Sequence, residues 1–208
     1  MKTAKIISMQ NSFEEKQTPN PAWAFNLDPV HSWAYWDKAF TKEECEHIIE
    51  IGNSRTQTQA TTNGGNPSKI RKSEISWLYP SDGMGWAYRR MTDIITNLNE
   101  QYFKFDIFGA TEGFQFTKYQ APSGKYGKHI DSAPNKVIRK LSFTLQLSNP
   151  KDYEGGDLCL YLDDKPEAMK KEQGFVALFP SYVLHEVKPI TKGTRYSLVS
   201  WITGKPFK

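Results

Sequence analysis

The sequence has few cysteines and no long apolar run. Its 208 residues include only two cysteines, Cys45 and Cys159, which form no C-x-x-C arrangement. Neither a disulfide framework nor a zinc knuckle is indicated, so we expect a reducing compartment, the cytoplasm. No stretch approaches membrane-spanning length, and residues 1–10 contain only a broken apolar run. We therefore predict neither a membrane anchor nor a signal peptide.

Basic residues are not concentrated in any part of the chain. The formal net charge is only +4, and there is no dense run of Lys and Arg. A polyanionic partner is therefore only weakly indicated. Hydrophobic residues make up 38% and aromatic residues 13% of the sequence, which is enough for a core. We predict one globular domain over residues 1–208, and the sequence indicates no particular oligomeric state.

The N-terminal half alternates polar connections with a few regular elements. Residues 1–30 are polar and proline-containing, which predicts an extended lead-in. A strand is expected over 32–40, followed by a helix that begins with the capping box of Thr41 and Glu44 and stops at Gly52. Residues 54–71 have almost no apolar side chain, so we expect a long mobile loop that could act as a lid.

A second helix follows a strand predicted over residues 74–79. Ser81 or Asp82 is the expected N-cap. An apolar stripe at helical spacing predicts a helix face packed on the core, with these members: Trp86, Met91, Ile94, Ile95, Leu98 and Tyr102.

From residue 103 the pattern changes to short β-strands separated by Gly, Pro, Asn and Asp. The predicted strands are 103–108, 113–120, 126–131, 138–148, 157–162, 174–179, 183–189 and 194–203. Eight short strands after two helices predict a mainly β fold with α, a double-stranded β-helix (jelly roll) with the helices packed on one sheet. Its core is expected over residues 103–203.

His129 and Asp131 form the first part of a candidate metal site. Residues two apart on a strand point to the same face, so the imidazole and the carboxylate can be directed at one point. His185, at the head of a later strand, is the candidate third ligand. Two histidines and one carboxylate form the facial triad of non-haem Fe(II) oxygenases, which leaves coordination positions open.

A cation and a polar strand accompany the candidate triad. The turn signal Thr191-Lys192-Gly193 predicts a hairpin that returns Arg195 alongside His185. Arg195 shares a face with Ser197, and a buried arginine requires an anionic partner such as a carboxylate. Along residues 139–148, polar and apolar side chains alternate, and the polar members are Ser142, Thr144 and Gln146. This pattern suits a wall that lines a site for a charged small molecule.

The order of these elements resembles a known family. The residues that carry the resemblance are Tyr119, His129, Asp131, Arg139, Tyr153-Glu154-Gly155-Gly156-Asp157, His185-Glu186-Val187-Lys188-Pro189, Gly193-Thr194-Arg195 and Trp201. They resemble the prolyl 4-hydroxylase-like Fe(II)/2-oxoglutarate dioxygenases, which include the hypoxia-type prolyl hydroxylases and related bacterial hydroxylases. The two helices, Arg71-Lys72-Ser73 and Trp77 resemble the N-terminal half of that family.

The resemblance implies a cofactor, two co-substrates and a role for each matching residue. Fe(II) would be held by the catalytic triad His129, Asp131 and His185, with 2-oxoglutarate and O2 in the open positions. Arg195 and Tyr119 would bind the distal carboxylate of 2-oxoglutarate. Further candidates for this co-substrate are Gln146, which stands where some relatives have a tyrosine, Ser197 and Thr144. The candidates for contact with a peptide or protein substrate, hydroxylated at a prolyl residue, are Arg139, Trp201, Trp77 and Arg71.

Three alternatives remain at this point. Dioxygenases that demethylate nucleic acids share the triad, but they usually carry a second arginine shortly after the first, and none follows Arg195. A cupin-like module could hold a metal or a small acid without turnover. Glu44 and His47 form a Glu-x-x-His on a helix, as in di-iron bundles, but those proteins require a second copy of the motif.

Overall fold

The computed structural model describes residues 31–62, 66–67, 70–132 and 138–206. The lead-in predicted for residues 1–30 lies outside the described residues. The elements of the N-terminal half are β1 (Ala34–Trp36), α1 (Lys42–Ser54), β2 (Thr58–Gln59), β3 (Thr61–Thr62), β4 (Asn66–Pro67), β5 (Arg71–Lys72), β6 (Glu74–Leu78) and α2 (Gly85–Leu98).

The C-terminal half is built from strands. They are β7 (Ile107–Ala110), β8 (Phe114–Gln120), β9 (Lys125–His129), β10 (Arg139–Gln146), β11 (Tyr153–Gly155), β12 (Leu158–Tyr161), β13 (Glu167–Ala168), β14 (Val176–Pro180), β15 (Leu184–Val187) and β16 (Ile190–Gly204). Each of the eight strands predicted after residue 103 overlaps an observed strand, and β11 and β13 were not predicted. The strands predicted over 103–108 and 126–131 need correction.

In the described ranges the strands form two large antiparallel sheets packed face to face, and β3 and β4 form a separate pair. The major sheet has the order β1-β14-β10-β16-β8-β6-β2, and β7 and β11 also pair with β16. The minor sheet has the order β13-β12-β15-β9-β5. The predicted jelly roll is therefore confirmed. Neither helix in the described ranges is long and apolar enough to cross a membrane.

Two apolar clusters hold the layers together. One lies between the helices and the major sheet, where Met91 and Leu98 of α2 pack with Leu141 and Phe143 of β10. The other lies between the two sheets and includes Phe179. Because side chains alternate along a strand, the apolar residues of β10 face the helices and its polar residues face the minor sheet. The predicted helix stripe and the polar wall are both confirmed.

The predicted helix ends were partly wrong. Thr41 forms the expected capping box with Glu44, but α1 continues past Gly52 to Ser54. A Cβ at Gly52 would lie 2.5 Å from the Phe116 ring, so this glycine allows close packing of the helix on β8 and does not stop it. The N-cap of α2 is Met84, because Pro80–Asp82 forms a separate 3-10 turn that ends at Gly83 with φ +81°.

Two further segments differ from their predictions. Phe103 ends a π-helical turn, Asn99–Phe103, and Lys104 follows with φ 54°, so the next strand begins only at Ile107. The segment 54–71 is not a structureless loop, since β2 pairs with β6 and β3 pairs with β4. A role for this segment as a lid stays a prediction.

The predicted hairpin between His185 and Arg195 is wrong. His185 lies in β15 of the minor sheet, whereas Arg195 lies in β16 of the major sheet. Gly193 does not form a turn but lies within β16, opposite Tyr153, with φ +71°. A Cβ at Gly193 would lie 2.0 Å from the carbonyl oxygen of Asp152. The glycine is required by this close approach of two backbones.

We predict that Gly52→Ala destabilises the protein despite the higher helix propensity of alanine. The gain from propensity is about 1 kcal/mol, but the new methyl group overlaps the buried Phe116 ring, and such overpacking costs about 1–3 kcal/mol. Urea denaturation should show a lower midpoint for the variant.

The matched control is Asn53→Ala, one residue further along the same helix turn, where the side chain is exposed. It should change the free energy of unfolding by less than about 0.5 kcal/mol. A midpoint for Gly52→Ala equal to or above that of the control would contradict the packing role of Gly52.

Candidate active site

His129, Asp131 and His185 converge where the two sheets meet. His185 is the cross-strand partner of His129 in the β9–β15 pair. The Nε2 atom of His129 lies 3.6 Å from Oδ1 of Asp131, and Nε2 of His185 lies 3.5 Å from Oδ2. All three ligand atoms lie within 4.8 Å of one another, so these side chains could hold one metal ion.

The structural support of Asp131 differs from the prediction. The strand ends at His129, so Asp131 is not a strand neighbour on the same face. Its backbone N–H donates to the carbonyl oxygen of Ser181 at 2.9 Å. Its Oδ2 accepts a hydrogen bond of 2.7 Å from the Ser142 hydroxyl. The carboxylate is therefore positioned by β10 and by the end of β14, both in the major sheet, while the histidines belong to the minor sheet.

Both histidines present the same nitrogen to the centre. Nδ1 of His129 lies 2.8 Å from the carbonyl oxygen of Gly127, and Nδ1 of His185 lies 2.9 Å from that of Val183. A carbonyl oxygen only accepts, so each Nδ1 carries the proton and each Nε2 keeps a lone pair. Such hydrogen bonds behind a ligand fix its tautomer and ring orientation.

The protonation states also favour metal binding. Burial, and next the neighbouring His185, lower the pKa of His129 to about 4. Burial acts to raise the pKa of Asp131, but the two histidines and the Ser142 hydrogen bond outweigh it, so the pKa lies below its usual range. At neutral pH the centre therefore contains a neutral His129 and an ionised Asp131, the forms that bind a metal.

Arg195 is a buried cation whose partners are neutral. Its side chain is 1% exposed. Nη2 donates to Oε1 of Gln146 at 2.8 Å and Nη1 donates to Oγ of Ser197 at 3.5 Å, whereas Nε has no hydrogen-bond partner among the residues that the structure describes. Within the described ranges no carboxylate forms an ion pair with it. A buried guanidinium is costly without an anion, so the site fits a ligand carboxylate at Arg195.

The polar face of β10 links Arg195 to the triad. Ser142 contacts Asp131 at one end, Gln146 contacts Arg195 at the other, and Thr144 lies between them. Both polar atoms of Gln146 are engaged within the protein, because its Nε2 donates to the carbonyl oxygen of Lys170 at 3.3 Å. The ring of Tyr119 lies 5.4 Å from the Arg195 guanidinium carbon.

The candidate substrate residues form an aromatic and cationic wall. The Arg139 guanidinium lies 3.8 Å from the Trp201 ring centroid and forms an ion pair with Glu112. The rings of Trp201 and Trp77 are 6.4 Å apart.

Arg71 lies on the side of His129. Its guanidinium lies 4.5 Å from the ring centroid of Tyr126, and that ring stacks on His129 with 3.5 Å between centroids. All four predicted substrate residues therefore lie within one or two side chains of the triad, but their contact with a substrate stays a prediction.

Some residues at the site were not predicted as site residues. The sequence predicted Ser142 only as one of the polar residues of β10. Its contact with Asp131 depends both on the alternation of side chains along β10 and on the fold that brings Asp131 to this strand. Tyr126 precedes His129 by three residues, so on a regular strand the two side chains would point to opposite faces. The register shift between β9 and β15 interrupts this regular pattern. Ser181 and Glu112 have no local sequence signal.

The helical alternative is not supported by the geometry. Glu44 caps α1 and forms an ion pair with Arg90, while His47 pairs with Glu50. In the part of the chain that the structure describes, the one group that could hold a metal is the triad.

Comparisons with known proteins agree with this site. Residues 114–203 match the sequence model of the 2OG-Fe(II) oxygenase superfamily. A PKHD-type hydroxylase of Prochlorococcus marinus (strain NATL1A) is 29% identical over 164 residues, which cover 77% of this chain and 74% of that protein. A PKHD-type hydroxylase of Gloeothece citriformis is 42% identical over 90 residues, but these cover only 42% of this chain and 40% of that protein.

Solved structures share the fold. A prolyl hydroxylase from Trichoplax adhaerens, in complex with a hypoxia inducible factor peptide fragment, superposes with a TM-score of 0.71 at 20% identity, covering 83% of this chain and 84% of that chain. A Pseudomonas putida prolyl-4-hydroxylase superposes with a TM-score of 0.67 at 23% identity, covering 85% and 94%.

Fold and donor set together define a jelly-roll metalloenzyme. Over residues 114–203 this chain is similar to the 2OG-Fe(II) oxygenase superfamily, and its fold is that of prolyl hydroxylases. That superfamily uses Fe(II), 2-oxoglutarate and O2, and His129, Asp131 and His185 could hold such a metal ion. Two histidines and one carboxylate suit Fe(II), and the buried guanidinium of Arg195 suits a carboxylate of 2-oxoglutarate.

We predict that Mn(II), or Fe(II) under anaerobic conditions, raises the melting temperature of the protein through this triad. A metal at about 100 times its Kd adds about 2.7 kcal/mol to the stability of the folded state. Asp131→Ala should remove this shift, because it deletes the charged ligand. Differential scanning fluorimetry, with each variant compared with its own metal-free form, measures the effect.

His47→Ala is the matched control, since it removes an exposed histidine of the rival motif. It should keep the full metal-induced shift. If Asp131→Ala kept the shift and His47→Ala lost it, the metal site would be on α1.

Proposed function

We propose that this enzyme hydroxylates a prolyl residue of a peptide or protein, with Fe(II) at His129, Asp131 and His185. The observation that carries the proposal is the pairing of this triad with a buried Arg195 whose hydrogen-bond partners in the described ranges are neutral. A closed structural metal site would not need a second, anion-binding group, so the arrangement supports turnover of a ligand rather than a cupin-like binding role.

The proposed roles of the inner residues follow from their contacts. Arg195 binds the distal carboxylate of 2-oxoglutarate, with Tyr119, Ser197 and Thr144 beside it. Gln146 holds the guanidinium in place through its Oε1. When Fe(II) and 2-oxoglutarate are bound, they supply activation of O2, with conversion of the keto acid to succinate and CO2 and transfer of an oxygen atom to a C–H bond. The burial of Arg195 and of the triad excludes water from this step.

The relatives support a prolyl substrate. Two solved structures of similar fold are named as a prolyl hydroxylase and a prolyl-4-hydroxylase, and the first was solved with a peptide fragment. The wall formed by Trp77, Trp201, Arg139 and Arg71 offers aromatic surface and hydrogen-bond donors next to the triad. Such a surface suits an extended peptide whose proline ring packs on aromatic rings.

We also propose that the protein is located in the cytoplasm. Cys45 and Cys159 are both buried and form no disulfide with each other. Unbridged cysteines are expected in a reducing compartment.

We predict peptide-stimulated succinate formation. Wild-type protein with Fe(II) and 2-oxoglutarate should form succinate faster with proline-containing peptides than with the same peptides carrying alanine in place of proline. Mass spectrometry should show one added oxygen atom on the proline. Asp131→Ala should be inactive, and His47→Ala should match the wild type.

Methylated oligonucleotides form the other arm of the same experiment. Stimulation by these substrates and not by peptides would overturn the prolyl assignment in favour of nucleic-acid demethylation. Equal rates with the proline and alanine peptides would also overturn it.

A further inference from the structure

The hydroxyl of Ser142 is buried beside the carboxylate of Asp131, in a short chain of hydrogen bonds. Ser142 and Ser181 are 1% and 0% exposed. The Ser142 Oγ lies 2.7 Å from Oδ2 of Asp131 and 2.9 Å from Oγ of Ser181. Nothing in the proposed function above requires these two serines.

The chemistry of the three groups fixes the direction of the chain. An ionised carboxylate only accepts hydrogen bonds, so Ser142 donates its one proton to Asp131. Ser142 can therefore only accept from Ser181, whose own proton points to Ser142. The hydrogen bond to the carboxylate is charge-assisted, and this class is about twice as strong as a neutral one.

The backbone around Ser181 holds the same carboxylate in place. The N–H groups of Asp131 and Ser132 both donate to the carbonyl oxygen of Ser181, at 2.9 and 3.0 Å. The Ser181 N–H donates to the carbonyl oxygen of Lys140 at 3.0 Å. Asp131 follows the end of β9, so these contacts replace the support that a strand would have given.

We propose that Ser142, supported by Ser181, is a positioning residue that reserves Oδ2 of Asp131 for the protein and leaves Oδ1 as the oxygen that binds the metal. A carboxylate bound through one oxygen uses one coordination position. With two histidines, it leaves three positions of an octahedral metal, two for the keto acid and one for O2. A freely rotating carboxylate could bind through both oxygens and remove one of these positions.

The first test measures metal affinity alone, so it does not depend on the co-substrate. Ser142→Ala should lower the affinity for Mn(II) about 10- to 100-fold, the range found when an outer partner of a metal ligand is removed. Ser142→Thr keeps the hydroxyl and should restore most of the affinity. Titration followed by the electron paramagnetic resonance signal of free Mn(II) gives the constants.

Ser200→Ala is the matched control. Ser200 is also fully buried, but its hydroxyl has no hydrogen-bond partner in the described part of the chain, and Ser200 pairs with Phe143 on the helix side of the sheet. Its Mn(II) affinity should stay within twofold of the wild type. An affinity for Ser142→Ala within twofold of the wild type, or an equal loss in Ser200→Ala, would overturn the positioning role.

The second test rests on the proposed function and examines the coordination mode. With Mn(II) saturating, Ser142→Ala should lose affinity for 2-oxoglutarate, which needs two metal positions, at least tenfold more than for succinate, which needs one at most. An equal loss for both ligands would overturn the one-oxygen mode. Failure of the wild-type protein to bind 2-oxoglutarate would instead count against the proposed function, and the Mn(II) titration would still test the role of Ser142.

Discussion

The guanidinium of Arg195 is buried, and its hydrogen-bond partners among the described residues are neutral. Gln146 and Ser197 orient the guanidinium but do not neutralise it. A lone buried charge is unfavourable, so the folded protein without a ligand keeps a site that an incoming carboxylate stabilises. The opposite charge, Asp131, follows the end of β9, contacts Ser142 at the other end of β10 and faces the imidazoles of His129 and His185. A bound metal cation would balance the charge of Asp131, and a dicarboxylic ligand that chelates this metal could balance the charge of Arg195 with its other carboxylate.

The two sheets contribute different parts of this arrangement. The minor sheet supplies His129 and His185 as cross-strand partners, so their relative position depends on the β9–β15 register. The major sheet supplies Arg195 and, through Ser142 and Ser181, the support of Asp131. The triad is therefore complete only when the sheets pack correctly. The apolar cluster between the sheets, which includes Phe179 and Val187, stabilises the metal centre indirectly.

Periodicity predicted the features that depend on a single strand or helix. The alternation along β10 separated the wall of the site from the core, and the capping box located the start of α1. The candidate triad and Arg195 could be named because their residue types suit one chemistry. The incorrect or missing predictions concern contacts between elements that are distant in the sequence. Gly193 lies in a sequence that is typical of a turn. Glycine is required there because the backbone of Asp152, a residue distant in the sequence, comes too close for a side chain. Ser181 is likewise fifty residues from the aspartate it supports, and no local pattern links them.

The buried guanidinium of Arg195 is poised for a ligand carboxylate. Isothermal titration calorimetry tests this most directly by comparing the affinities of the Mn(II)-loaded protein for 2-oxoglutarate and for 2-oxopentanoate, which has the same chain length and keto acid group but no distal carboxylate. We predict that 2-oxoglutarate binds more tightly by about 2–5 kcal/mol, as for a buried charge pair that loses one partner, and that Arg195→Ala loses this difference. Equal affinities of the wild-type protein for the two keto acids would contradict this prediction.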